Sequence, residues 1–143
     1  MNLETLRPAR LAVDASLVTL IWLVQLIIYP SFRSIAPEVF PTFHADYSTK
    51  ISFVVVPLMF AQVFLVAVQV WQMPGLSTYL AAGLVVAVWI ATFALAVPCH
   101  NELGLHGHDL AVIDRLVQVN WFRTAIWSAR LGLSLWDWRR SVG

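Results

Sequence analysis

The sequence predicts an all-α fold, a single polytopic membrane domain across residues 1–143 with four transmembrane helices in an up-down bundle. Three observations point there. No Asp, Glu, Lys or Arg stands between Lys50 and Glu102, and a run of roughly fifty such residues holds two spans of about twenty residues each. Apolar residues make up 59% of the chain and charged ones 12%, with a mean hydropathy of +0.75, far from the balance of a water-soluble domain. The apolar run breaks at Gln72-Met73-Pro74-Gly75, where proline cannot donate to a helix ladder and glycine tolerates the turn, so its two halves read as a helical hairpin.

The first helix is expected at 11–29, apolar from Leu11 and stopped by Tyr29-Pro30. Arg7 and Arg10 ahead of it imitate a secretory signal. The apolar part is too long for a signal h-region, however, and no small-residue cleavage pattern precedes Tyr29-Pro30, so a retained helix is expected. The second helix spans 42–71, after Phe40-Pro41, with Pro57 as a kink point. The third spans 76–98 and ends at Pro98. The fourth, 110–136, follows Asp109, whose carboxylate can accept the exposed amides of the first turn. Cys99 is the sole cysteine, so no disulfide forms within the chain. It reads as a small packing residue, because a nucleophile needs a convergent base and helix neighbours point about 100° apart.

Cation placement sets the expected orientation. The end with both termini and the Pro74-Gly75 turn carries Arg7, Arg10, Arg139 and Arg140; the other carries Arg33, Lys50 and Arg115 among Glu38, Asp46, Glu102, Asp109 and Asp114. Counting Lys and Arg puts both termini in the cytoplasm, in a cell inner membrane, and turns the histidine-bearing loops 30–43 and 98–109 outward. Trp71, Trp136 and Trp138 at one end, with Tyr29 and Tyr47 at the other, suit interfacial belts.

Arg123 and Arg130 on the fourth helix are the costliest residues, since an Arg at mid-membrane opposes insertion by roughly 2.5–3.5 kcal/mol. Asn120, Arg123, Trp127 and Arg130 recur at helical spacing and share one face. Asp14 lies about as far from the start of helix one as Arg130 lies from the end of helix four, so a structural Asp14–Arg130 ion pair is expected. Gln25 falls near the depth of Arg123. On helix two, His44 and Gln62 are eighteen residues apart, about five turns, and point the same way with Ser48 and Gln69 beside them. These polar stripes form either a pocket, a path, or hydrogen bonds that hold helices together.

All four histidines, His44, His100, His106 and His108, fall at one end of the threaded bundle. Imidazole, carboxylate and thiolate can bind Zn, Cu or Fe when they converge, which makes His44 and His100 candidate metal ligands or candidate bases. Either no cofactor or a His-bound transition metal is compatible with this. HExxH, paired CxxC and repeated Glu-x-x-His signatures are missing. His106-Gly107-His108 reads as a solvated loop. With a net charge of +1, no basic patch and no glycine-rich phosphate loop, no nucleic-acid partner is expected.

Tyr29-Pro30-x-Phe32, Phe40-Pro41-x-Phe43-His44, Val97-Pro98-Cys99-His100-Asn101-x-Leu103 and Leu116-Val117-x-x-Asn120-Trp121-x-Arg123-Thr124-x-x-Trp127-x-x-Arg130 resemble small bacterial four-helix membrane proteins of unknown function. These are similar to the wider group containing the membrane anthrone oxygenases, where a Pro-x-(His/Asn)-Asn-x-Leu end of helix three and an Asn-x-x-Arg element on helix four recur. The resemblance covers nearly the whole chain. It singles out His44, His100, Asn120, Arg123 and Arg130, with Trp121 and Trp127 in support, and it implies oxygen addition to an electron-rich polycyclic phenol without a classical cofactor. His106, His108 and Cys99 stand outside its pattern.

Two functions follow as expectations. One is a small membrane oxidoreductase or oxygenase in which His44 or His100 is base or metal ligand, Asn120 and Arg123 steady an oxyanion, and an apolar small molecule enters from the lipid bilayer. The other is a non-enzymatic subunit or assembly helper that meets a membrane protein partner or another copy of itself. A carrier is the third and weakest reading, with no inverted repeat to support it.

Overall fold

A computed structural model describes residues 3–142, and the described residues hold helices and no strand. Four long helices form the molecule. The first, α1, runs as an α-helix over Leu3–Leu23, widens into a π-turn at Val24–Ile28, and closes through Tyr29–Ser31 and a 3-10 turn at Phe32–Ser34. The second, α2, is Phe40–Gln72. The third, α3, comprises Leu76–Ala91, a π-turn at Thr92–Ala96, and Val97–His106; the fourth, α4, is Leu110–Val142. Short turns join them, so neighbours run antiparallel, and each helix packs on two others in the cycle α1, α2, α3, α4.

These helices overrun the expected limits of 11–29, 42–71, 76–98 and 110–136, and the overrun has a cause. Proline lacks an amide donor and its ring collides with the carbonyl four residues back, so Tyr29-Pro30 and Pro98 are stops in an ordinary α-helical ladder. In both helices a π-turn ends two residues before the proline. The amide of Tyr29 reaches back five residues to Val24 and that of Val97 to Thr92. This wider turn relaxes the ladder where the proline ring intrudes, and the helix continues. Pro57 lies within α2 without interrupting it.

Among the described residues three helices are long and apolar enough to cross a bilayer: Thr5–Ser34, Phe40–Gln72 and Leu76–His106. At 1.5 Å per residue each rises roughly 45–50 Å, more than the hydrocarbon core of about 30 Å. The fourth is not apolar enough by itself, because Asn120, Arg123 and Arg130 interrupt it. All three of those side chains are buried in the bundle. Large apolar side chains instead face outward, among them Phe53, Phe60, Ile90, Phe93 and Phe122. A surface of this kind suits lipid rather than water. These features are compatible with an integral membrane protein.

The core runs along the bundle axis through Leu17, Ile21, Phe32, Phe40, Leu103, Ile113, Leu116 and Trp127. At the turn between α3 and α4, Gly107 adopts φ +79°, a backbone region that side chains with a Cβ avoid. Asp109 then starts α4, its Oδ1 accepting the amides of Ala111 at 2.8 Å and Val112 at 3.2 Å. Cys99 is buried among apolar neighbours.

Candidate functional site

Because α1 and α3 each carry a π-turn and a proline near this end of the bundle, Tyr29 and His100 are brought together, their rings edge-on. The Tyr29 hydroxyl lies 2.9 Å from His100 Nε2, and His100 Nδ1 lies 3.0 Å from His44 Nε2 on α2. The two imidazoles stack with centroids 5.2 Å apart. Phe40 stacks on His44 and Phe32 abuts it edge-on. In one proton arrangement Tyr29 donates to His100 and His100 donates to His44; reversing all the donors gives the other. Such a chain carries a proton between its ends without moving a heavy atom.

His44 and His100 thus contact each other through nitrogens that were candidate metal ligands. Among the described residues no third His, Cys, Asp or Glu joins them to make a group able to hold a metal. The other two histidines separate. His106 is exposed, as a solvated segment requires, but it ends a helix. His108 departs from the loop reading: it packs edge-on against Phe40 and its Nε2 lies 3.1 Å from the Phe32 carbonyl oxygen.

Beneath the relay lies a cavity of about 400 Å3. Its head is polar, with Tyr29, Tyr47, Ser48, His100 and Arg123. Its body is apolar, with Val55, Met59, Trp89 and Phe93 among the lining residues. Leu20, Ile21 and Val24 of α1 and Trp127 of α4 close the back. The α2 and α3 backbones pack on either side of the π-turn at Thr92–Ala96 but part along it. The cavity therefore opens through the seam between those helices, past the outward-facing Phe60 and Phe93.

Arg123 is the central charge. Only 7% of its surface is exposed, and among the described residues no carboxylate forms an ion pair with it. Its NH1 donates to Asn120 Oδ1 at 3.0 Å, and its guanidinium sits 5.3 Å from the Trp127 ring centre. Asn120 in turn donates to Gln25 Oε1 at 2.9 Å, and Gln25 donates to the Val117 carbonyl at 3.1 Å. Gln25 thus meets Arg123 only through Asn120. This chain locks Arg123 in place. Its Nε remains without a hydrogen-bond partner, as do Ser48 Oγ and Trp89 Nε1, and all three residues line the cavity. Buried polar atoms without partners are rare, and a water or ligand in the cavity can complete these three.

The remaining polar residues are engaged elsewhere. Asp14 Oδ2 lies 3.1 Å from Arg130 NH1, with each side chain 1% exposed. Ser134 Oγ donates to Asp14 at 2.6 Å and Gln62 Nε2 donates to it at 2.7 Å. Trp127 Nε1 donates to Gln62 Oε1 at 3.2 Å, so the stripe shared by His44 and Gln62 serves two separate networks. Gln69 donates to Thr78 at 3.2 Å. Trp121 is not brought to the site: it stands on the outer face of α4, edge-on to Trp22 at 5.7 Å. Tyr29 and Tyr47 line the cavity, a place that neither an interfacial belt nor the Tyr29-Pro30 motif indicates.

No protein-family model, curated protein or solved structure matches this chain.

Proposed function

We propose that this protein is a small four-span membrane oxidoreductase of the oxygenase type, acting on an apolar, oxygenated aromatic molecule taken sideways from the bilayer. The observation that supports it is the pairing, in one cavity, of an uncompensated buried arginine with Tyr29 and His100, the first two members of a tyrosine-histidine-histidine relay. A volume of about 400 Å3 falls in the range of small-molecule sites, roughly 300–1,000 Å3, and such sites combine apolar walls with a few convergent polar groups. The substrate class comes from the likeness to membrane anthrone oxygenases.

The chemistry assigns each residue a task. A ring CH2 or phenolic OH loses its proton to Tyr29 Oη, whose own proton passes to His100 Nε2 while His100 Nδ1–H passes to His44 Nε2. The charge left on the substrate oxygen meets Arg123, with Asn120 holding the guanidinium steady. Such an anion is electron-rich enough to be oxidised by dioxygen. One O2 is consumed, the CH2 becomes C=O, and the second oxygen atom leaves as water. In this reading α4 also spans the membrane, since its polar side chains turn into the bundle and its outer face keeps Trp121, Phe122, Leu135 and Trp136. The termini lie in the cytoplasm by the distribution of Arg and Lys.

The test is oxidation of a dihydroxyanthrone by the protein in nanodiscs under air, followed by absorbance and oxygen uptake. Turnover above empty nanodiscs is expected, with one O2 per substrate, and Arg123→Gln should lower kcat about 10²- to 10³-fold. Folded protein that gives no acceleration, releases no small molecule on extraction and co-purifies within a larger assembly would replace this reading with that of a non-enzymatic subunit.

A further inference from the structure

At the end of the bundle opposite the histidines, a second cavity of about 230 Å3 lies between the start of α1, the end of α2, the start of α3 and the end of α4. Among the described residues Arg7, Arg10 and Arg140 line it, with Asp137 as the one carboxylate. Arg10 NH2 pairs with Asp137 at 3.1 Å, and Ser77 Oγ donates to the other Asp137 oxygen at 2.7 Å. The carboxylate is therefore engaged, and the described lining residues carry three guanidiniums against one carboxylate.

Two observations independent of this charge count point to a ligand. Arg10 is 3% exposed and Gln69 2% exposed, yet Arg10 Nε and Gln69 Oε1 have no hydrogen-bond partner. Both residues line the cavity. One is a charged donor and the other an acceptor, a pair that matches a group carrying both an anionic oxygen and a hydroxyl or ammonium hydrogen. Ser77 and Thr78 stand in the first turn of α3, which has no side-chain cap. A helix start of this kind presents free amides and the positive end of its dipole to an anion.

We propose that this cavity is a seat for a phosphate group, held by Arg7, Arg10 and Arg140, with Gln69 Oε1 accepting a hydrogen bond from a P–OH or from a hydroxyl or ammonium on the group esterified to the phosphate. The site is separate from the upper cavity and independent of the oxygenase reading. Its level, beside Trp71 and Trp136 at the ends of α2 and α4, is that of a lipid headgroup region. A phospholipid phosphodiester and a soluble phosphate share the chemistry required.

The experiment uses the full chain purified in phosphate-free detergent. Bound phosphorus is measured, and thermal unfolding is then followed with inorganic phosphate or with nanodiscs of phosphatidylglycerol against nanodiscs of a phosphate-free glycolipid. Stabilisation by phosphatidylglycerol, or about one retained solvent-extractable lipid phosphorus per chain, assigns a lipid source; stabilisation by inorganic phosphate alone assigns a soluble one. The double variant Arg7→Gln/Arg140→Gln should weaken the response at least about tenfold, as expected for lost charge-assisted hydrogen bonds. Arg10→Lys keeps a cation for Asp137 while deleting the Nε donor, and it should weaken binding with the fold retained. No response to either phosphate source, or an undiminished response in the folded variants, overturns the proposal.

Discussion

Replacing Asp14 by leucine removes the carboxylate that pairs with Arg130. The pair is 3.1 Å apart and each side chain is 1% exposed, so the guanidinium left behind has no water to turn to. Arg10 lies beside the same serine, its NH2 3.4 Å from Ser134 Oγ, which places a second cation near the orphaned one. Gln62 and Ser134 also lose the acceptor they bind at 2.7 and 2.6 Å. Breaking one side of a buried ion pair costs about 3–5 kcal/mol, because an uncompensated charge stays buried. Arg130→Met should cost a similar amount for the mirrored reason. The double variant Asp14→Leu/Arg130→Met removes both charges together and should recover most of that loss, as matched apolar replacements of buried pairs do. A double-mutant cycle by detergent-titrated unfolding, read through tryptophan fluorescence, should therefore give a coupling of at least about 2 kcal/mol. Additive single losses would refute the reasoning and reduce the pair to two independent helix contacts.

Two further outcomes follow. Tyr29→Phe keeps the ring packed against Phe32 but deletes the first link of the relay; turnover of a dihydroxyanthrone should fall about 10²- to 10⁴-fold with substrate binding nearly unchanged, measured as separate kcat and KM. Gly107→Ala forces a Cβ into the φ +79°, ψ −147° backbone and should destabilise the protein by about 1–3 kcal/mol, whereas nothing within 4 Å obstructs a Cβ at Gly83, so Gly83→Ala in the same unfolding assay is the control.

The linear pattern was sufficient to identify helices, because a chain without charges from 51 to 101 has few other ways to satisfy its backbone in lipid. It also identified the face shared by Asn120, Arg123, Trp127 and Arg130, since helical spacing alone decides which residues align. It misjudged where helices end. Proline is a stop in an isolated ladder, but a π-turn upstream absorbs it, and nothing at Val24–Ile28 or Thr92–Ala96 announces that turn. The same limit applied to the site. His44 and His100 were legible as neighbours at one end, while their union with Tyr29 depends on how far α1 and α3 continue past their prolines.

Residue spacing and charge placement by themselves determined the helical class, the threading and the buried arginines, because these follow from a repeat of 3.6 residues and the cost of charge in an apolar medium. Only tertiary structure decided how two similar arginines differ. Arg130 meets Asp14 across the bundle, whereas Arg123 meets Asn120 and a cavity. Partners nearly a chain length apart in sequence are selected by helix rotation and depth, and seven residues along α4 are enough to exchange a carboxylate for an open pocket.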